Sequence, residues 1–580
     1  MHIIVASWVF VGCSTDGNTS LLQDITNADT TNDFGLSDVD TVEADSEVAS
    51  SPDILVDTDD NLVDIKSETD LGNSSDIGDE YPPAINRTFP EEFLFGSAVA
   101  GFQVDMGCPT LSSAQCDDTQ SDWYQFSTDP ETIAKPGNYL SGQDPAKVGP
   151  GHWELYENDY DLAKDVLHNN AHRFSVEWSR IFPTATDGTN GYDALKAIAN
   201  QDAIDHYHKQ LQSLRSRGLE PLVTLNHYTL PIWIHDAVGC NNNIKTCSPK
   251  GWVDKDRTVN EIAKFAGFVA KEFGAEIDLW ATLNEPFAIV LPGYIYPQPD
   301  RTNPPSVALA LEEARTVLLA LIYAHARMYD AIHENDTIDA NGDNVGASVG
   351  VVYAMAPVRP KNPQNQLDIE AAKNVFYLWN MVFLNAVALG QLDDNLDGVS
   401  EPVADLANRM DYIGINYYTR ITVEGTETSA LPALSPLATF NPFTLEPWED
   451  YPRGIYEMIQ IVDQDLKLPT IVTENGSDTK ESSRGAGDGE TVAASYLTRH
   501  LAWVHQALAE GADVRGYFYW TLLDNFEWNH GMDIRMGLFA VDPDNPTKTR
   551  VMREAASVFG EIAKNKLISV QQQQKFRKDQ

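Results

Sequence analysis

From residue 89 onward, short apolar runs rich in β-branched and aromatic residues alternate with longer amphipathic stretches. The runs at 95–98, 173–176, 221–225, 279–282, 347–353, 412–415, 470–473 and 516–520 are short and rich in apolar, β-branched and aromatic side chains, the pattern of strands. Between them, 154–167, 203–217, 259–273, 309–333, 371–389 and 493–509 carry apolar residues three and four apart, as at Phe265, Phe268 and Val269. That spacing gives a helix one buried face. Strands alternating with helices in this order predict a (β/α)8 TIM barrel of the α/β class, with long loops. A doubly wound sheet is the rival, but no glycine-rich phosphate turn follows the first strand.

The periodic pattern stops short of the N-terminus. Residues 14–80 hold 19 Asp and Glu against a single basic residue, Lys66, and their only aromatic is Phe34. Chain of that kind buries too little to offset the entropy of ordering, so 14–85 is expected to be a disordered, self-repelling tether. The barrel is expected over 86–566 and a polar C-terminal tail over 567–580. Of the net charge of −46, −18 falls in 14–80 and −28 on the rest. This excess argues against gripping nucleic acid and against docking on anionic lipid through a basic patch.

Ahead of the acidic stretch, 1–13 reads MHIIVASWVFVGC. The apolar run is shorter than the roughly 20 helical residues a bilayer requires. It resembles a bacterial lipoprotein signal, with small Gly12 before Cys13, although a basic n-region is missing and Phe10 stands where Leu is usual. The resemblance implies an exported protein, lipidated at Cys13, facing periplasm or cell exterior and touching membrane only through that anchor. The other four cysteines form two close pairs, Cys108 with Cys116 and Cys240 with Cys247. Short loops of this kind suggest disulfides in an oxidising compartment, with free thiols as the alternative. Zinc is disfavoured, because neither pair has CxxC spacing and no His cluster accompanies them.

Barrel enzymes carry their chemistry just after the strands, at the C-terminal rim. Those positions here are polar and aromatic: Gln103, Arg173, Glu177, His227, Asn284, Glu285, Asn416, Tyr418, Glu474, Trp520, Glu527 and Trp528. Glu285 in ATLNEP and Glu474 in IVTENG each end an apolar run beside Asn. Glycosidic cleavage needs two such carboxyl groups, one to protonate the leaving oxygen and one to attack or to direct water. A pair of structural ion pairs at the rim is the competing reading. Metal hydrolysis is disfavoured, since no HExxH-type ligand motif is present.

Nine segments in order carry a resemblance: FPEEFLFGSAVAGFQVDMG, SDWYQF, GPGHWELYENDYDLA, HRFSVEWSRIFP, LVTLNHYTLPIW, LWATLNEP, YIGINYYTR, IVTENG and YFYWTLLDNFEW. They resemble glycoside hydrolase family 1, and within it the archaeal-type β-glycosidases. The resemblance implies a retaining exo-β-glycosidase, a β-glucosidase with β-galactosidase or β-fucosidase activity. Its implied acid/base is Glu285 and its nucleophile Glu474, with Arg173 and Tyr418 holding the nucleophile ionised. Gln103, His227, Asn284, Asn416, Glu527 and Trp528 are implied sugar ligands, Trp520 an aromatic platform and Trp448 an aglycone-side residue. The implied partners are small β-glycosides or β-linked oligosaccharides; no cofactor and no metal are implied, and no oligomeric state is fixed. Glu527 implies neutral sugars, because a carboxylate there would repel a 6-phosphate. Two positions depart from the pattern: Asp105 stands where many members have Glu, and Met532 replaces an aromatic near the sugar's 6-position. The alternative of another class is an inert sugar-binding surface lipoprotein on the same barrel, which would usually lack one of the two Glu. A thioglucosidase would lack Glu285, whereas a transglycosylase would share every residue named.

Overall fold

A computed structural model describes residues 81–427, 431, 434–438, 449–478 and 489–576. Cys13, Trp448 and residues 14–80 of the expected tether lie outside the described residues. Eight parallel strands close into a barrel in sequence order. They are β1 (Leu94–Ala98), β2 (Ala171–Ser175), β3 (Glu220–Asn226), β4 (Leu279–Asn284), β5 (Ser348–Ala354), β6 (Tyr412–Asn416), β7 (Thr470–Asn475) and β8 (Val514–Trp520). Every predicted run becomes one of them. Their interior positions are buried almost without exception. Burial on both faces is why apolar residues occur on both faces of these strands rather than in strict alternation, with buried polar residues such as Arg173 and Thr473 among them.

The closing seam pairs Phe518 of β8 with Gly96 of β1. A Cβ added at Gly96 would lie 2.3 Å from the Phe518 ring, so the ring fills the space a side chain would need. The register at this seam and its neighbour sets Trp520, Ala98 and Arg173 level with one another. Across the barrel, Asn416 is level with Glu474. Residues that must meet at the mouth therefore start from one height.

The outer layer comprises α1 (His152–Asp161), α2 (Gln201–Ser216), α3 (Lys255–Phe273), α4 (Leu311–Asn335), α5 (Gln366–Phe376), α6 (Arg453–Ile461), α7 (Gly489–Ala509) and α8 (Glu554–Asn565). In α4, Ala314, Val317, Leu318, Leu321, Ala324 and Met328 form the apolar stripe that packs inward. Two predicted helices change winding before they end. After α1 the chain makes a π turn over Leu162–Val166, and after α5 it makes π turns over Tyr377–Met381 and Asn385–Leu389. The short helices α6 and α8 were not among the predicted stretches.

The expected polar tail is folded through Phe576. Leu567–Ile568 pairs antiparallel with Arg87–Thr88, and Ser569 caps a short helix over Val570–Lys575 with a reciprocal bond from Gln572. Ile568 and Phe576 are buried at its two ends. Two apolar anchors fix this segment, and its run of Gln hides them from a composition count. Disulfides join Cys108 to Cys116 in the loop after β1 and Cys240 to Cys247 in the loop after β3. Among the described residues, no helix is long and apolar enough to cross a membrane, and no group of three or more His, Cys, Asp or Glu is placed to hold a metal ion.

Candidate active site

The rim brings together residues from β2, β4, β6 and β7 around two buried carboxylates. Glu474, next to last in β7, is fully buried. Its Oε1 accepts from Arg173 Nη1 at 2.7 Å and its Oε2 from the Tyr418 hydroxyl at 2.7 Å. Arg173, on β2, is itself fully buried and spends its other donors on the frame: Nε to Thr224 Oγ1 at 3.0 Å and Nη2 to Asn284 Oδ1 at 2.8 Å. Just beyond Glu474, a Cβ at Gly476 would meet the Trp520 carbonyl oxygen at 1.9 Å. Only glycine lets the chain leave β7 against β8 at this point.

Glu285 follows β4 directly, with φ 46° and ψ 65°, a left-handed conformation that is costly for a side-chain-bearing residue. Two features hold it there. Its N–H donates to the Val352 carbonyl at 2.8 Å, and Pro286 starts the next helical turn. The side chain is thereby turned into the mouth of the barrel, where Oε1 accepts from Asn416 Nδ2 at 2.9 Å and Oε2 contacts the Tyr228 hydroxyl. Asn416 Nδ2 also donates to Asn284 Oδ1 at 3.2 Å, and Thr473 Oγ1 donates to Asn416 Oδ1 at 2.8 Å, which fixes the amide. A chain of bonds thus runs Glu474–Arg173–Asn284–Asn416–Glu285, tying the two carboxylates to one scaffold.

Their neighbours differ in kind. Glu285 faces neutral donors, and its carboxyl is pushed up to about 7, first by burial and then by the negative charge of Glu474. Burial also pushes Glu474 upward, against the Arg173 charge and the bonds from Arg173 and Tyr418, which favour its ionised form. When the pair holds a single proton, the carboxylate in the ion pair is the one that bears the charge. At neutral pH the arrangement therefore offers a proton donor at Glu285 and an anion at Glu474.

Around them lies a set of edges suited to hydroxyl groups. Asn284 Nδ2 donates to His227 Nε2 at 3.2 Å, which leaves the ring proton on Nδ1, because burial and the nearby Arg173 and Arg301 keep this imidazole neutral. Gln103 Nε2 donates to Glu527 Oε2 at 3.0 Å. The His227 ring is parallel to Trp520 and to Trp528, with centroids 5.7 and 5.9 Å away. Among the described residues, Gln103 Oε1, His227 Nδ1 and Trp520 Nε1 are buried with no partner. Buried polar atoms of this kind are costly unless a bound group completes them.

All the expected rim ligands except Trp448, which is not described, thus fall in one cluster. Glu177 stays behind it as a brace, accepting from Ser175 at 2.9 Å and Thr229 at 2.6 Å. Asp105 is buried beside Arg180 at 3.4 Å, while the Met532 N–H donates to Gln143 Oε1 at 2.9 Å. Two residues escaped the sequence reading. Tyr228, next to His227, could have been found from that adjacency. Arg301, in the loop before α4, carries no periodic or motif signal, yet it is 2% exposed and lies over the Tyr228 and Trp528 rings at 5.0 and 5.2 Å.

The profile of Glycosyl hydrolase family 1 matches residues 85–568. The chain belongs to this family. Its barrel, the two carboxylates and the family assignment together make it a glycoside hydrolase. A β-galactosidase of Pyrococcus woesei is 36% identical over 520 residues, covering 82% of this chain and 97% of that protein. A β-galactosidase of Saccharolobus solfataricus is 33% identical, covering 83% and 96%. Among solved structures, the β-glycosidase of Thermosphaera aggregans aligns with a TM-score of 0.70 at 30% identity, over 84% of this chain and 99% of that one. The archaeal character expected from the motifs is thus found in its relatives.

Proposed function

We propose that the protein is a retaining exo-β-glycosidase acting on neutral β-D-glycosides, most simply a β-glucosidase with β-galactosidase or β-fucosidase activity. One observation carries the reading. Two buried carboxylates share a scaffold, one paired with a guanidinium and a phenol, the other with neutral donors and titrating near 7.

In the first step Glu474 Oε attacks the anomeric carbon while Glu285 gives its proton to the glycosidic oxygen, so the C–O bond breaks and a glycosyl ester forms. In the second, Glu285, now a carboxylate, takes a proton from water, and the hydroxide oxygen displaces Glu474. Esterification removes the negative charge on Glu474 that raised the Glu285 carboxyl, so the same residue serves as acid and then as base. Two displacements at one carbon return the original configuration, which calls for carboxyl groups about 5–5.5 Å apart. Asn284, positioned by Arg173, and neutral His227 supply hydroxyl contacts, and the indole faces lie where a sugar's C–H face can rest. Retention of both carboxylates speaks against the inert sugar-binding alternative.

A panel of nitrophenyl β-glycosides followed by NMR tests this reading. Hydrolysis with the β-anomer released first is expected, and no turnover of any sugar by folded protein would overturn it. Glu474→Ala should be inactive, with azide restoring turnover as the α-glycosyl azide; a β-azide would mean that the nucleophile lies elsewhere.

We also propose that the enzyme is exported and anchored by lipid at Cys13. The Gly12–Cys13 junction after an apolar run supports this, as do the two disulfides.

A further inference from the structure

Arg301 is a cation held at 2% exposure, and among the described residues its Nε and Nη2 have no hydrogen-bond partner. Its nearest carboxylate is Glu527, with Nη1 3.8 Å from Oε1, too long for a direct hydrogen bond. The placement is built rather than incidental. Gln298 and Arg301 exchange backbone bonds of 2.9 and 3.1 Å, closing a tight loop. The turn after Glu527 grips that loop: Asn529 Nδ2 donates to the Pro299 carbonyl at 2.9 Å, and the His530 ring binds the Asp300 carbonyl at 2.8 Å. The segments carrying Arg301 and Glu527–Trp528 are therefore one unit, and the guanidinium lies over the Trp528 face. A buried cation with open donors is costly in general, so such groups find acceptors when a ligand enters.

We propose that Arg301 is a sugar-binding residue, donating to a glycone hydroxyl oxygen whose own proton goes to the Glu527 carboxylate. This rests on the glycosidase reading above and adds to it a residue that selects for one glycone hydroxyl. A hydroxyl can accept from a guanidinium and donate to a carboxylate at once, whereas hydrogen can do neither. An anionic substituent there would face the Glu527 carboxylate. The preferred glycone therefore carries a hydroxyl at the position between Arg301 and Glu527.

The test compares wild type with Arg301→Met on a nitrophenyl β-glycoside and on its 3-, 4- and 6-deoxy counterparts. The variant should lose about tenfold or more in kcat/KM on the parent, but at most about threefold on one deoxy counterpart, because a site built to bind a hydroxyl is penalised only when that hydroxyl is present. An equal loss on every glycone would overturn the assignment and leave Arg301 a positioning residue for Glu285 or Glu527. Faster turnover of a β-glucuronide than of the parent by wild type would overturn the preference for a hydroxyl. Should Arg301→Met not fold, Arg301→Lys, which keeps the charge but not the fork, must show the same dependence on one hydroxyl. Failure of wild type to cleave any glycoside would fault the glycosidase reading instead.

Discussion

At the scale of single residues, the two carboxylates are equally deprived of water, so their difference comes from partners. Arg173 gives Glu474 a charge to balance its own, whereas Tyr228 and Asn416 give Glu285 only dipoles. The Tyr228 hydroxyl still matters, because a bond donated to a carboxylate favours the ionised form and lowers its pKa. With the Glu285 carboxyl near 7, kcat/KM of the free enzyme should fall as pH rises through about 7, where the acid loses its proton. Removing the hydroxyl in Tyr228→Phe takes away a hydrogen bond that lowers this pKa, so the basic limb should move to higher pH, by up to about one pH unit. The acidic limb should move less, since Arg173 and Tyr418 remain on Glu474. A pH profile of kcat/KM for the two proteins checks this, and a basic limb shifted to lower pH would contradict the assignment of Glu285 as the acid. This residue pair was legible in sequence through the Asn–Glu junctions at strand ends. Arg301 was not, because a lone Arg in a polar loop looks the same whether it meets solvent or a sugar pocket.

At the scale of elements, the strands were legible because burial on both faces concentrates apolar and β-branched residues in short runs, and the polar residues inside them, such as Arg173 and Thr473, are held by bonds at the site. Helix ends were less so. The π turns at 162–166 and 377–389 keep the three- and four-residue apolar spacing of a helix while changing its hydrogen bonding, so periodicity overran them. The short α6 offers too few turns for its period to register, and the folded tail rests on Ile568 and Phe576 alone. The cystine Cys240–Cys247 is an element of another kind, closing a loop with a sequence separation of 7. A loop that short yields about 2–3 kcal/mol of chain-entropy stabilisation. The pair Cys240→Ser and Cys247→Ser should therefore lower Tm while leaving kcat/KM at room temperature within about twofold, because the site residues of the same loop, His227 and Tyr228, directly follow β3 and are held from β4 and Glu285, and none lies within 240–247. Thermal unfolding beside a nitrophenyl assay measures both, and a large loss of activity without loss of Tm would place that loop at the substrate.

At the scale of the whole molecule, the charge divides into −18 on residues 14–80 and −28 on the rest of the chain. Every residue argued to touch sugar lies between Gln103 and Trp528, inside the span that matches the family. The proposed attachment, at Cys13, lies outside that span in the sequence, so each can be changed alone. If Cys13 carries the lipid, mass spectrometry of the mature protein from its native host should find Cys13 as the first residue, diacylated, with MHIIVASWVFVG removed. Cys13→Ala should shift the enzyme from the membrane fraction to the soluble fraction, with kcat/KM on small glycosides unchanged, since Cys13 precedes the span that matches the family. An unmodified Met1 on the mature protein would refute the anchor while leaving the glycosidase reading intact. Loss of activity in purified, folded Cys13→Ala would instead tie the N-terminal stretch to catalysis. A diacylated Cys13 together with unaltered kinetics would place the acidic stretch between lipid and enzyme along the chain, and would assign attachment and catalysis to different parts of one polypeptide.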